Sequence, residues 1–81
     1  MTNYEEVLLE LVKPLTSDPD SVVVKRMGSL EENEIVLYVY APKEDLARLI
    51  GRKGSMAQSI RTLLQSLCHG KKRIVVKFEE I

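Results

Sequence analysis

The tetrapeptide Gly51-Arg52-Lys53-Gly54 is the segment of this 81-residue chain whose residue types and spacing are suited to binding an anion. Two glycines three positions apart allow a tight turn with positive φ, and they let another molecule approach the backbone without meeting a Cβ. The segment leads into a predicted helix at Ser55, and the free amides and dipole of a helix N-terminus favour a phosphate group. Because two cations lie between the glycines, the pattern predicts a site for a phosphate-bearing ligand.

The same glycines are also compatible with a purely structural role, in which they end one helix and start the next. The charge pattern favours binding. The formal net charge is zero, yet residues 1–47 carry ten acidic and four basic side chains, whereas residues 48–77 carry eight basic side chains and no acidic one. Unless this division arose by chance, a carboxylate-free stretch of this length predicts a polyanionic partner, either nucleic acid or a membrane surface.

Catalytic and metal chemistry find little support in the sequence. A nucleotide-hydrolysing loop would be longer, end in Lys-Ser or Lys-Thr, and need a downstream carboxylate for magnesium. Cys68 is the one cysteine, which excludes an internal disulfide and a multi-cysteine zinc site. Cys68 and His69 cannot form a nucleophile–base pair, because neighbours on a helix point about 100° apart. We therefore expect no catalytic residue, no metal and no cofactor.

Length and composition predict a single globular domain spanning residues 1–81, since 44% of the residues are hydrophobic and 30% are charged. The longest apolar run, residues 35–41, is far shorter than the roughly 20 residues that cross a bilayer. The first residues lack the basic and apolar segments of a signal peptide. We therefore expect a cytoplasmic protein without a membrane partner.

Hydrophobic periodicity predicts six elements in the order α-β-β-α-α-β. The first is an amphipathic helix with a capping box of Thr2 and Glu5 that ends near Lys13, because Pro14 follows. Strands are predicted at 22–27, 34–41 and 73–78, the second lying in the centre of the sheet. The first two form an antiparallel hairpin, and a crossover through two helices brings the last strand parallel to the second. The expected class is α+β, with three helices on one face of a three-stranded mixed sheet.

The two central helices are predicted in more detail. The first has Pro42 as its opening residue and ends at Gly51. The second has a capping box of Ser55 and Gln58 and ends at Gly70. Its apolar stripe, expected to be buried, is Ala57, Ile60, Leu63, Leu64, Leu67 and Cys68, and Ile50 is expected to be buried on the helix before it.

Within this element order, the segment from Leu49 to Gly54 resembles the I-G-x-x-G signature of KH domains, which bind single-stranded RNA or DNA by clamping about four backbone nucleotides. The order of elements is similar to the type II, bacterial arrangement, and the resemblance covers essentially the whole chain. It implies that loop amides contact phosphates and that the bases lie in a groove between the helices and the edge of one strand. Ala57 stands where many KH domains carry a bulky aliphatic residue, which implies a shallower groove floor. The implied RNA-binding residues are Ile50, Gly51, Arg52, Lys53, Gly54, Ser55, Arg48, Ala57, Ile60 and Arg61.

The resemblance implies a non-catalytic single-stranded RNA-binding protein that acts as an RNA chaperone or post-transcriptional regulator. One site of about four nucleotides binds weakly, so a second site is expected. A homodimer, or a complex with a larger KH-containing protein of the Jag (KhpB) type, would supply it. The alternative is a protein-interaction module that uses either the sheet face of Tyr38 and Tyr40 or the first helix. A base-stacking platform on these tyrosines is disfavoured, because the strands lack a basic-aromatic signature.

Overall fold

The computed structural model describes residues 3–28 and 31–81, and the predicted order of elements is confirmed. The helices and strands are α1 (Tyr4–Val12), β1 (Val23–Met27), β2 (Glu34–Ala41), α2 (Lys43–Ile50), α3 (Ser55–Leu67) and β3 (Arg73–Glu80). Short 3₁₀ turns lie at Lys13–Leu15, Pro19–Ser21 and Arg52–Gly54. No helix within the described ranges is both long enough and apolar enough to span a bilayer.

The sheet has the order β1-β2-β3, with β2 in the centre as predicted. β2 runs antiparallel to β1, with Val39 opposite Val24, and parallel to β3, with Leu37 opposite Val76. Alternate side chains of β2, from Ile35 to Ala41, are buried, whereas those between them are half-buried. The helices pack on the buried face, so the mixed sheet with three helices on one face is confirmed.

The core joins all three helices to this face of the sheet. Burying one large aliphatic side chain contributes about 1.5–3 kcal/mol, and each helix buries one or two such residues within its bounds. The buried hydrophobic residues are Leu8, Val12, Val22, Ile35, Leu37, Val39, Ala41, Leu49, Ile60, Leu64, Cys68 and Ile74.

The helix starts differ from those predicted. The N-cap of α1 is Asn3, whose side chain accepts a hydrogen bond from the Glu6 N–H at 3.2 Å, and the predicted cap Thr2 lies outside the described residues. Pro42 is the N-cap of α2 rather than its first residue, and its extended backbone leads from β2 into the helix.

The predicted capping box of Ser55 and Gln58 is wrong. The chain enters α3 directly from the 3₁₀ turn, so Ser55 already has helical backbone angles and its N–H donates to the Arg52 carbonyl. The N-cap is instead Gly54, in the left-handed conformation, and no side chain caps the first turn of α3.

Three residues predicted to be buried are partly exposed: Ile50 at 38%, Leu63 at 53% and Leu67 at 46%. The arc of α3 that faces the sheet is narrow and is filled by Ile60 and Leu64, which lie one turn apart. In a domain with a single helical layer, side chains beside that arc border solvent. The apolar stripe therefore predicts the direction of the buried face but overestimates its width.

Candidate nucleic-acid interface

The loop between α2 and α3 is a tight turn that depends on glycine. Gly51 ends α2 with a φ of +76°, and its N–H donates to the Ala47 carbonyl at 3.0 Å. Gly54 has a φ of +78°, and its N–H donates to the Gly51 carbonyl at 3.2 Å, which closes the turn. Lys53 between them has a φ of +56°, a left-handed conformation that costs a residue with a Cβ about 1–2 kcal/mol. The chain thus passes from α2 into α3 within four residues.

The two glycines are required for different reasons. A Cβ on Gly51 would lie 2.7 Å from the Met56 Cβ and 2.8 Å from the Met56 backbone nitrogen. A Cβ on Gly54 would meet no atom within 4 Å. Gly51 is therefore required both by its backbone angles and by the close packing of the loop against the first turn of α3, whereas Gly54 is required only by its backbone angles.

The turn leaves the amides of its two central residues outside its own closing hydrogen bond. The N–H groups of Gly51, Gly54 and Ser55 are bonded to the carbonyls of Ala47, Gly51 and Arg52, respectively. In a turn closed from its first residue to its fourth, the N–H groups of the two central residues take no part in the closing bond. Amides throughout the loop were expected to contact phosphates, but this bonding leaves only the amides of Arg52 and Lys53 as candidates. The side chains of both residues are exposed.

Two further cations flank the loop on the helices that it joins. Arg48, in the last turn of α2, is exposed, and its Nη1 lies 3.7 Å from the Asp45 Oδ1. Arg61 is exposed on α3, and its Nη2 donates to the Gln58 Oε1. Since a helix rises 1.5 Å per residue, Arg61 lies roughly 9 Å along α3 from its start. The α2–loop–α3 unit therefore presents cations both at the turn and beside it.

Asp45 anchors α2 to the segment that follows α1. From the sequence, Asp45 is only a carboxylate in the first turn of the helix that complements the helix dipole; the structure buries it to 1% exposure. Its Oδ1 accepts hydrogen bonds from the Ser17 N–H and the Ser17 hydroxyl, both at 2.9 Å. These bonds, the backbone one first, hold the pKa of Asp45 below its ordinary value, although burial acts in the opposite direction. The pair joins residues 28 positions apart, which no local pattern predicts.

The Asp45 anchor should make the stability of the protein depend on acidic pH. Since its folded-state pKa is depressed, ionised Asp45 stabilises the protein above its unfolded pKa of about 3.9, and this contribution is lost as the pH falls through the folded-state pKa. Urea unfolding of the native chain and of Asp45→Asn at neutral and acidic pH would measure it. We expect the native chain to be more stable at neutral pH and the difference to shrink in acid. A difference that does not change with pH would contradict this assignment.

A groove of about 550 Å³ lies between α3 and the start of β3. Among the predicted site residues, Arg61 lines it, whereas Ile60 is only 3% exposed and belongs to the core. The other polar residues of α3 in this groove were not predicted from the sequence. Gln58, Thr62 and Gln65 are spaced i, i+4 and i+7, which places them on one face of the helix. This spacing is the signal that could have revealed the polar stripe. The lining residues are Gln58, Arg61, Thr62, Gln65, Ser66, Gly70, Arg73 and Ile74.

A model of a protein family, described as the KH domain of KhpA and KhpB, matches residues 5–79. The chain belongs to this KhpA/KhpB family. It is 32% identical over 80 residues to the RNA-binding protein KhpA of Streptococcus pneumoniae, covering 99% of each chain. It is 35% identical to KhpA of Listeria monocytogenes over 78% of this chain and 80% of that one. With KhpA of Leifsonia xyli it shares 38% identity over 80% of this chain and 83% of that one.

The fold of this KhpA/KhpB domain also occurs inside a larger protein. In a crystal structure of Era from Aquifex aeolicus, the matching region has a TM-score of 0.67 and covers 95% of this chain at 22% sequence identity. The match spans 30% of the Era chain. At this level of identity the likeness shows the shared fold.

The helix-free face of the sheet is a second surface of this KhpA/KhpB domain. Tyr38 and Tyr40 stack on each other with ring centroids 6.2 Å apart and planes inclined by 24°. The Lys25 Nζ lies 5.8 Å from the centroid of the Tyr40 ring, and Lys77 on β3 is opposite Tyr38 in the register. The face is thus partly aromatic and carries cations on both neighbouring strands.

Proposed function

We propose that this chain is a non-catalytic single-stranded RNA-binding protein in which residues 1–81 form one KH domain. The observation that carries the proposal is an exposed pair, Arg52 and Lys53, on a glycine turn at the N-terminus of a helix that no side chain caps. A phosphate placed there meets two cations, two amides outside the closing bond of the turn, and the positive end of the α3 dipole. The curated relatives are named RNA-binding proteins, which supports the same ligand.

The proposed role of each residue in RNA binding follows from its position on the loop or on the helices beside it. Arg52 and Lys53 bind phosphates with their side chains and amides, while Gly51, Gly54 and Ser55 shape the turn. Arg48 and Arg61 extend the positive surface on either side. The bases lie beside α3, where Ile50 and Ala57 offer partly exposed apolar surface and Ile60 supports them from the core. A solvent-facing loop suits binding rather than catalysis, because it does not enclose a reacting group away from water.

The proposed biological role is that of an RNA chaperone or post-transcriptional regulator in the cytoplasm. A single loop that binds about four nucleotides gives weak affinity, and a second site on the same RNA raises it by effective concentration. We therefore propose that the chain acts as a homodimer or with a larger KH-containing protein of the Jag (KhpB) type. The description of its family, which groups KhpA with KhpB, supports the second partner.

A second candidate function is a protein-interaction module. The stacked pair of Tyr38 and Tyr40 on the helix-free sheet face favours it, because tyrosine contributes large contact area at protein interfaces. The first helix offers another candidate surface, since Glu6 and Glu10 lie beside Val7, Leu9 and Leu11 in a shallow depression. Either surface is compatible with RNA binding by the loop, because both lie on other elements.

Salt dependence tests the proposed function. If the loop and its flanking cations neutralise about 2–4 phosphates, log affinity for single-stranded RNA should fall with log salt at a slope of about −1.5 to −3. Fluorescence anisotropy of a labelled oligoribonucleotide between about 50 and 200 mM salt measures this slope. An affinity that is insensitive to salt would indicate an apolar interface and contradict binding of the RNA phosphates by the loop. Absence of binding at the low-salt end would overturn the proposed function.

A further inference from the structure

The side chain of Gln65 on α3 is bonded to the backbone at the start of β3. Its Nε2 donates to the Lys72 carbonyl, and its Oε1 accepts from the Ile74 N–H at 3.1 Å. The Nε2 also lies 3.4 Å from the buried Cys68 Sγ. Because the carbonyl can only accept and the N–H can only donate, these partners fix the orientation of the amide. One side chain therefore satisfies both a donor and an acceptor of the strand.

These two backbone groups lie on the free edge of the sheet. β3 is an edge strand, and the Arg73 N–H donates to the Asn33 carbonyl at 2.7 Å, toward β2. In a strand, the N–H and C=O of one residue point to the side opposite those of the next residue. Because those of Arg73 point toward β2, the Lys72 carbonyl and the Ile74 N–H point away from it. Without Gln65 the Ile74 N–H would be an unpaired donor. The Lys72 carbonyl would keep only a weak thiol donor, the Cys68 Sγ at 3.3 Å, and would have a lone pair free to accept from another molecule.

The side chain that covers these two groups also lines the groove beside α3. Gln65, Arg73 and Ile74 line it, and Gln58 and Arg61 extend its lining toward the loop. Gln58 lies three residues after Ser55, so the groove begins within one turn of the proposed phosphate site. Bases attached to a backbone held at the loop would therefore reach the groove and the strand edge behind it.

We propose that Gln65 makes the recognition of RNA in this groove tolerant of base identity, by occupying the Lys72 carbonyl and the Ile74 N–H. This inference rests on the proposed function. Base identity is read through the hydrogen-bond donors and acceptors on base edges. A carbonyl held only by a weak thiol, next to an unpaired N–H, would read such an edge, since the amino group and adjacent ring nitrogen of adenine or cytosine supply the matching donor and acceptor. With both groups occupied, the charges of Arg61 and Arg73 remain in the groove, and contacts of cations with phosphates carry no sequence information.

Substitution of Gln65 tests this role in the full-length chain. The probes are labelled oligo(A), oligo(C) and oligo(U) RNAs of equal length, and the readout is the ratio of their affinities for each protein. We expect the native chain to bind the three within about threefold of one another. In Gln65→Ala the uncovered pair should favour oligo(A) and oligo(C) over oligo(U) by about tenfold. The control is Ser59→Ala, which removes an exposed hydrogen-bonding side chain from the same helix, outside the lining of the groove, and should leave the ratios unchanged.

A second variant covers the case in which Gln65→Ala does not fold. Gln65→Glu keeps an acceptor for the Ile74 N–H but cannot donate to the Lys72 carbonyl. Its negative charge should weaken binding to all three RNAs, while the uncovered carbonyl shifts the ratios toward bases with an amino group. Unchanged ratios in the folded variants, or strong base preference in the native chain, would overturn the role of Gln65 and leave the proposed function intact. If the native chain binds none of the RNAs, the proposed function fails and this inference fails with it.

Discussion

Replacing Gly51 with alanine should destabilise the protein by about 2–6 kcal/mol. Its backbone, with φ +76° and ψ 176°, lies in a region essentially confined to glycine, which costs about 1–3 kcal/mol once a Cβ is present, and overpacking typically adds about 1–3 kcal/mol. The clash is severe because the new Cβ would lie 2.8 Å from a backbone nitrogen of Met56 and not beside a flexible side chain. A domain of this size has a free energy of unfolding of roughly 4–12 kcal/mol, so the loss would be a large part of it. Urea unfolding monitored by circular dichroism measures the change.

The matched control is Gly54→Ala, at a glycine with nearly the same φ but open space around its hypothetical Cβ. Only the backbone penalty applies there, so the expected loss is about 1–2 kcal/mol. Equal losses for the two variants would show that Gly51 does not pack against α3 as described.

The double substitution Arg52→Asp with Lys53→Asp should reduce RNA affinity by about 100-fold or more. Hydrogen bonds to charged groups contribute about 1.5–3 kcal/mol each, and about 2.7 kcal/mol corresponds to 100-fold in affinity. Aspartate suits the left-handed conformation of Lys53 better than most residues, and both side chains are exposed. The melting temperature should therefore stay nearly constant, and anisotropy titrations would report the loss of binding.

The chain offers a matched control for this pair. Lys25 and Arg26 are adjacent, exposed and on β1, so changing both to glutamate alters the net charge by the same amount away from the loop. We expect this control to lose far less affinity than the loop variant. If both variants lose the same affinity, RNA responds to overall charge and not to the loop. Wild-type binding by the folded loop variant would refute the assignment of Arg52 and Lys53.

Much of the fold was predictable because local patterns and tertiary packing agree. The run of β-branched and aromatic residues at 35–41 predicts a strand in the centre of the sheet, which is where β2 lies. The crossover through two helices predicts parallel pairing of β2 and β3, which the register confirms. The exposure of Leu63 and Leu67 was not predictable, because periodicity gives the direction of a buried face but not how much of the helix its neighbours cover.

The candidate site was predictable in part. Glycine spacing and charge located the turn. They did not show which loop amides are hydrogen-bonded within the protein, because that depends on how α3 continues from the turn. The Ser17–Asp45 anchor and the contacts of Gln65 with β3 join residues distant in sequence. Their partners become identifiable only when the sheet and helices are assembled, because serine, aspartate and glutamine each satisfy many local patterns.

The most direct test of the central claim is to map the amide chemical shifts of the native chain during titration with single-stranded RNA. The account predicts that the largest changes occur at Arg52 and Lys53 and in the first turn of α3, with smaller ones along the groove. The helix-free sheet face around Tyr38 and Tyr40 should change little. Large shifts confined to that face or to α1, with the loop unaffected, would contradict the claim that the glycine loop binds the RNA backbone.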